Sequence, residues 1–444
     1  MPSTAGAAVG VIGAGGSGIL AAAYLRRRGI PFELLEARDG VGGTWHYDPE
    51  GAGSAAYDSL VMNTSRLATS PAAMRIPGRP WRYATRAEMK QYTDQLVDRE
   101  GLGERIHFGW RVGEATPDAE GWTLRSDAGE ERRYETIVCA LGSNGRPKWA
   151  PIGGDFSGEQ LHSAEYRTPE PFADRNVLVI GLGTSGAEVA GELAGCARSV
   201  HVAVRSPLWL MTRRLGGVPI DWIDNEYVSR ILPWGIRRQI LRGLCRATTG
   251  RLHRLGVPRP TRRCGDDIIG ISDTFPRAVR RGGMSFHGGV ERVGGSTVRF
   301  NDGSEAEIDV IVHATGFDPP TEFLPNDAQP GRHNLYRRIL HVGVENLYFV
   351  GMFEAHRALL PIAEAQGRWT VEALSGGVRL PPIEERRVVA RAEGERSESD
   401  FGERREFFLD WAKYKASLRK DVVDARRPSI RSKSPPRSAA PRAG

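Results

Sequence analysis

The sequence predicts an α/β protein built from two Rossmann-like dinucleotide-binding units. Three observations lead there. A short apolar run, a GxGxxG turn and an Ala/Leu-rich helical segment follow one another from Ala7 to Arg28. The same order recurs from Asn176 to Leu193. Each copy runs on into a second apolar stretch that ends on a charge, Glu36 in the first copy and Arg205 in the second. Strand, glycine turn, helix and strand is the order of a βαβ unit.

In the first copy the turn is Gly13, Ala14, Gly15, Gly16, Ser17 and Gly18. Gly13 permits the tight turn, Gly15 lets a pyrophosphate approach the backbone, and Gly18 lets helix and strand pack closely. Unpaired N–H groups and the dipole at the helix start then hold the phosphates. Glu36 falls 18 residues after Gly18, where a carboxylate accepts a hydrogen bond from a ribose hydroxyl. In the second copy Gly181, Gly183, Thr184, Ser185 and Gly186 form the turn, and Arg205 lies 19 residues after Gly186. A cation there suits a 2′-phosphate. One acidic and one basic ribose site imply FAD and NADPH in a single chain.

Bulk properties narrow the class. A chain of 444 residues has room for two or more cores. No apolar run approaches the ~20 residues of a membrane span, and no N-terminal leader is expected. Cys139, Cys196, Cys245 and Cys264 are widely spaced without a CxxC or a metal-ligand spacing, so no metal is expected and the thiols fit a cytoplasmic protein. The formal charge of +7 is concentrated in the tail, where Arg426, Arg427, Arg431, Lys433, Arg437 and Arg442 lie in a Ser/Pro-rich stretch without acids. The body is nearly neutral, so no specific nucleic-acid partner is expected, and the tail reads as a disordered basic segment, 425–444.

Between the two copies, Gly42-Gly43-Thr44-Trp45 sets dense glycines before a Trp that suits the wall of a flat ring system, the lesser alternative being a turn followed by a surface Trp. Val61 to Arg66 reads as a strand end and loop, and Asn63 offers a donor and an acceptor from one amide. A helix is expected from Arg86 to Arg99, with Met89, Tyr92, Leu96 and Val97 on one face. Tyr134 to Leu141 reads as a buried strand and Gly145 to Gly158 as a linker. After the second copy, 207–281 breaks the pattern as a helical insertion. Its Arg-rich stretch repeats Leu232, Ile236, Ile240 and Leu244, either as a cap packed on the body or as a membrane-surface helix. Val298–Phe300, Asn301–Gly303 and Ile308–His313 read as a hairpin leading into Ala314-Thr315-Gly316. Pro361 opens a helix through Ala363 to Trp369, and its positive end suits the electron-rich edge of a reduced flavin. Glu384 to Lys415 is expected to be helical.

These stretches together resemble the flavin-containing monooxygenase branch of the class B flavin-dependent monooxygenases, from about Ala7 to Gly376. Gly13–Gly18 looks like the FAD fingerprint, Gly42–Trp45 like GGTW and Gly181–Gly186 like the NADPH fingerprint. Phe156-Ser157-Gly158 through His162 to Tyr166 looks like the identifying FxGxxxHxxxY, Ala314–Gly316 like the ATG crossing, and Ala363–Trp369 like the C-terminal AELQxRW with Ala365 in place of Leu. Tyr166-Arg167 stands where the Baeyer–Villiger branch carries Trp and then Pro or Asp.

The resemblance implies an NADPH domain inserted into the FAD domain. The expected boundaries are 1–160 and 315–380 for the FAD domain, 161–314 for the NADPH domain and 381–424 for a C-terminal helical extension. It implies that Asn63 is the active-site asparagine, touching flavin and nicotinamide. Gly43, Thr44, Trp45, Met62, Val112, Ala314, Thr315, Gly316 and Gln366 join the two glycine turns, Glu36 and Arg205 as cofactor contacts. The activity implied is formation of a C4a-(hydro)peroxyflavin from NADPH and O2, followed by oxygen transfer to the nitrogen or sulfur of a small molecule. Baeyer–Villiger oxygenation of a ketone and oxidative decarboxylation of a 2-oxo acid use the same flavin chemistry and are the enzymatic alternatives. A catalytically silent flavoprotein scaffold is the alternative outside enzymes. A disulfide reductase would require a cysteine pair that is absent. Peripheral membrane contact is not expected, and the sequence does not define an oligomeric state.

Overall fold

A computed structural model of the chain describes residues 8–48, 55–223, 225–356, 358–402 and 406–425. The basic tail beyond Ala425 lies outside the described residues.

Val9–Ile12 and Phe32–Leu35 are apolar apart from Gly10 and Glu33, and they pair in parallel with Val9 opposite Phe32. Between them the helix Gly16–Arg28 ends on Gly29 in the left-handed conformation. Thr136–Cys139 flanks Val9–Ile12 on its other side, also in parallel. Together with Ile106–His107, Leu335–Tyr336, Leu340–His341 and Leu347–Phe349 these strands form a seven-stranded sheet. All four residues of both Val9–Ile12 and Thr136–Cys139 are buried, as a sheet covered on both faces requires. The helix Leu360–Leu374 packs beside Gly16–Arg28, where Gly367 lies against Ala21. The helix Arg86–Arg99 forms over the expected residues, closed by a Thr85–Glu88 capping box with Met89, Tyr92, Leu96 and Val97 buried.

The second sheet repeats this plan from a separate part of the chain. Its five parallel strands are Glu159–His162, Val310–His313, Asn176–Ile180, Ser199–Ala203 and Met284–His287, in that spatial order. The first sheet therefore takes its strands from before Ala140 and after Asn334, and the second from the chain between. Three details depart from the sequence reading. The expected boundary after residue 160 falls inside the strand Glu159–His162. The expected linker 145–158 contributes Gly153–Phe156 to a four-stranded sheet beside Val290–Gly295. The hairpin partner of Thr297–Phe300 is Glu305–Glu307, whereas Val310–His313 crosses into the central parallel sheet. Ile308 is buried where the chain changes sheets, so its apolar character does not mark a hairpin strand.

The insertion folds as short helices around Trp234–Thr249. Of the expected stripe of Leu232, Ile236, Ile240 and Leu244, only Leu244 is fully buried. The buried face is Trp234, Arg237, Leu241, Leu244, Cys245 and Thr249, whose spacings of three and four follow the 3.6-residue turn while a strict step of four drifts off it. Arg237 is buried in an ion pair with Asp410 at 3.3 Å, which anchors the insertion to the C-terminal part of the chain. Cys245 and Cys264 meet in this small core, where their mutual contact and burial push the Cys245 thiol far up, so it stays protonated. The expected helical segment 384–415 is two helices, Ile383–Phe401 and Trp411–Ala425. Among the described residues no helix is long and apolar enough to cross a membrane.

Candidate active site

Both glycine turns sit at the carboxyl ends of their central strands and are built alike. Gly13 has φ 101° and Gly181 φ 105°, a region in which only glycine is unstrained. A Cβ on Gly13 would lie 2.7 Å from the Ala140 carbonyl oxygen, and one on Gly181 2.5 Å from that of Ala314. Ala140 and Ala314 end the adjacent strands, and each leads through one residue into a left-handed glycine, Gly142 and Gly316. Gly18 and Gly186 pack inward against the carbonyls of Gly13 and Gly181. Their part is therefore close helix–strand packing, and neither they nor Ala14 line the cavity.

A cavity of about 1360 Å³ joins the two turns. It brings together Gly13, Gly15, Gly16, Ser17, Glu36, Gly43, Thr44, Trp45, Met62, Asn63 and Val112 from the first sheet's side. From the second come Gly181, Gly183, Thr184, Ser185, Arg205, Ala314, Thr315 and Gly316. The floor between Gly15 and Gly43 is bare backbone, since a Cβ on Gly43 would stand 3.0 Å from the Gly15 Cα. That cradle fits a pyrophosphate drawn close to main-chain N–H groups. Ala358, Leu359 and Leu360 at the start of the helix Leu360–Leu374 also border the cavity, so the positive end of that helix faces it as expected.

Glu36 is nearly fully buried, and its carboxylate accepts from Ala14 N at 2.7 Å and Arg38 N at 3.0 Å. Two backbone donors fix the carboxylate and leave lone pairs for ribose hydroxyls. Arg38 donates to the carbonyls of His46, at 3.0 Å, and of Gly43, pinning the turn that presents Trp45. Burial lowers the Arg38 pKa and the neighbouring Glu36 and Asp39 oppose that shift. In the second half, Ile271 N donates to Thr184 Oγ1 at 3.3 Å, which leaves the hydroxyl hydrogen for another acceptor. Arg205 is exposed on the cavity wall and makes no ion pair among the described residues.

A further expected contact is displaced. Gln366 is fully buried and does not line the cavity: its Oε1 accepts from Gly351 N at 2.8 Å and its Nε2 donates to Tyr414 Oη at 2.8 Å. It holds Gly351, which does line the cavity, from behind. The motif from Phe156 to Tyr166 lies at the joint of the sheets. His162 is fully buried against Phe317 and Trp149, and Tyr166 donates to Glu192 at 2.8 Å.

Sequence reading missed Leu141, Gly142, Arg38, Met211, Ile268, Ile269 and Ile271, all of which border the cavity. The first was legible: Ala140-Leu141-Gly142 follows a buried strand as Ala314-Thr315-Gly316 does. The insertion residues carry no local signal. Among the described residues no group of three or more His, Cys, Asp or Glu is placed to hold a metal ion.

Residues 6–430 match the flavin-binding monooxygenase-like family model. Flavin-containing monooxygenase 5 of Oryctolagus cuniculus is 26% identical over 400 residues, covering 85% of this chain and 75% of that protein. Among solved structures, S-allyl-L-cysteine S-oxygenase from Allium sativum superposes with a TM-score of 0.67 at 22% identity, covering 94% of this chain and 88% of that one. Cyclohexanone monooxygenase from Rhodococcus sp. Phi1 bound to NADP+ does so with a TM-score of 0.71 at 20% identity, covering 94% and 98%. With two like nucleotide cradles opening on one chamber, this chain belongs to the flavin-binding monooxygenase-like family and is a flavin-dependent monooxygenase that uses FAD and NADPH.

Proposed function

We propose that the enzyme transfers one oxygen atom from O2 to a soft nucleophile, the nitrogen or sulfur of a small molecule. The observation that carries this reading is the continuity of the cavity: both glycine turns and Asn63 border the same space. FAD reduced by NADPH supplies the activation of O2; the chain supplies positions, donors and exclusion of water.

In this reading the turn Gly13–Ser17 holds the FAD pyrophosphate, Glu36 the ribose, and Gly43–Trp45, Met62 and Val112 the flavin side. The turn Gly181–Ser185 holds the NADPH pyrophosphate and Arg205 its 2′-phosphate, since its guanidinium makes no ion pair among the described residues and can form a charge-assisted one. Thr315 and Gly316 border the space between them. No side-chain nucleophile or acid–base pair is assigned, and Asn63 serves as the amide between the two rings.

The test is NADPH oxidation in air with a panel of amines, sulfides and ketones, scoring oxygenated product against hydrogen peroxide. N- or S-oxides are the expected products. Ester formation from ketones with sulfides untouched would assign the Baeyer–Villiger reaction instead. A colourless protein that leaves NADPH unoxidised would return the chain to a scaffold role. Asn63→Ala is expected to retain flavin and divert most of the NADPH consumed into hydrogen peroxide.

A further inference from the structure

Behind Asn63, on the side away from the cavity, lies a buried arginine contributed by the insertion. Arg213 is 5% exposed and does not line the cavity, although its neighbour Met211 does. Its guanidinium lies 3.3 Å from Glu188 and 3.5 Å from Asp273. Its Nε donates to the Met62 carbonyl at 3.2 Å, and its Nη2 donates toward Asn63 Oδ1 at 3.5 Å. Its backbone is fixed as well: Arg213 N donates to Asp273 Oδ1 at 2.9 Å, and its carbonyl accepts from Tyr83 Oη at 2.5 Å.

This arrangement decides which way the Asn63 amide faces. A guanidinium has donors and no acceptor, so the amide atom turned toward it is the oxygen. The Asn63 NH2 is thereby left for the cavity as a donor. Two carboxylates face the one cation, so Arg213 presents directed N–H groups rather than an unbalanced positive field. Glu188 lies on the helix Thr184–Leu193, which opens at the second glycine turn. The guanidinium therefore bridges that helix to the Met62–Asn63 loop. The loop is held from the same side again, because Asp221 accepts from Ser65 N at 3.2 Å and Trp222 Nε1 donates to Ser65 Oγ at 3.2 Å.

We infer that Arg213 is a positioning residue that sets the Asn63 amide with its nitrogen toward the reacting rings and ties that setting to the nucleotide-binding helix of the second sheet. This rests on the reading of the cavity as the joint flavin–nicotinamide site. A carboxylate pair on one side and two oxygen acceptors on the other match the fork of a guanidinium, and a point donor such as lysine reaches only part of that set.

The experiment compares the parent with Arg213→Lys, Arg213→Met, Asn63→Ala and the double variant Asn63→Ala/Arg213→Met. Three quantities are read: flavin content, the share of NADPH oxidation released as hydrogen peroxide, and NADP+ affinity of the oxidised flavoprotein from flavin-fluorescence titration. Arg213→Met is expected to keep its flavin, raise the peroxide share severalfold and weaken NADP+. The double variant is expected to match Asn63→Ala alone, and Arg213→Lys to fall between parent and Arg213→Met. If the two single effects multiply in the double variant, Arg213 does not act through Asn63 and the proposal fails. Should Arg213→Met not fold, with two carboxylates left unpaired, Arg213→Lys decides: a peroxide share and NADP+ affinity equal to the parent's overturn the proposal. An Asn63→Ala variant equal to the parent in both readouts overturns the reading of the cavity itself.

Discussion

Replacing Gly181 by alanine tests the assignment of the two glycine turns, with Gly13→Ala as its internal control. At φ 105° a side chain brings the left-handed penalty of about 1–2 kcal/mol. The new Cβ would also stand 2.5 Å from the Ala314 carbonyl oxygen, half an ångström inside the 3.0 Å that real Cβ contacts keep. That oxygen belongs to the backbone at the end of a buried strand and cannot rotate aside. The turn must instead retreat by roughly 1 Å, a misplacement that costs about 100-fold when it displaces a reacting group. Anaerobic stopped-flow reduction by NADPH is the assay. Gly181→Ala is expected to retain bound flavin and to be reduced about 100-fold more slowly at a fixed subsaturating NADPH concentration. Gly13→Ala, with φ 101° and a Cβ 2.7 Å from the Ala140 oxygen, is expected to lose flavin instead. Reduction of Gly181→Ala at the parent rate would refute the steric reasoning, and loss of flavin from Gly181→Ala with retention in Gly13→Ala would reverse the assignment.

Three further outcomes follow from the same geometry. Arg205→Ala is expected to raise the KM for NADPH by 10- to 100-fold and leave that for NADH unchanged, because a hydrogen bond to a charged group contributes about 1.5–3 kcal/mol; steady-state kinetics with both nucleotides check it. Arg237→Ala is expected to destabilise the protein by about 3 kcal/mol, since the buried Asp410 keeps only the exposed Lys413, at 3.6 Å, and a lowered urea midpoint measures it. His313 is held by burial, with a smaller push from His162, at a pKa of about 4. Its Nδ1 accepts from Ala150 N at 3.3 Å and its Nε2 faces Gln160 Oε1 at 3.1 Å, so a proton on Nδ1 would set donor against donor. The unfolded chain binds that proton below about pH 6.5, the folded chain only near pH 4. Stability is therefore fully present above pH 6.5 and falls as pH drops through this window, by an amount on the order of 3 kcal/mol for the whole shift. His313→Asn is expected to flatten the decline of the melting temperature between pH 7 and pH 4.5.

The sequence by itself determined the parts whose physics is local. Tight turns with positive φ demand glycine, helix starts near phosphates demand free N–H groups, and buried parallel strands demand continuous apolar runs. Gly13–Gly18, Gly181–Gly186 and the strands beside them were legible for those reasons, and the cofactor pair followed from Glu36 and Arg205 at matching offsets. The helix Arg86–Arg99 was legible from its period.

Only the tertiary structure decided what depends on contacts between distant segments. It showed that Val310–His313 leaves its neighbours for another sheet, because its pairing partners are Glu159–His162 and Asn176–Ile180. It showed that the buried face of Trp234–Thr249 carries Arg237, whose partner Asp410 lies far along the chain. It took Gln366 out of the cavity and put the insertion's Arg213 behind Asn63, 150 residues away along the chain. A buried ion in a sequence looks like any surface arginine, because the carboxylates that neutralise it, Glu188 and Asp273, come within reach only once the chain has folded.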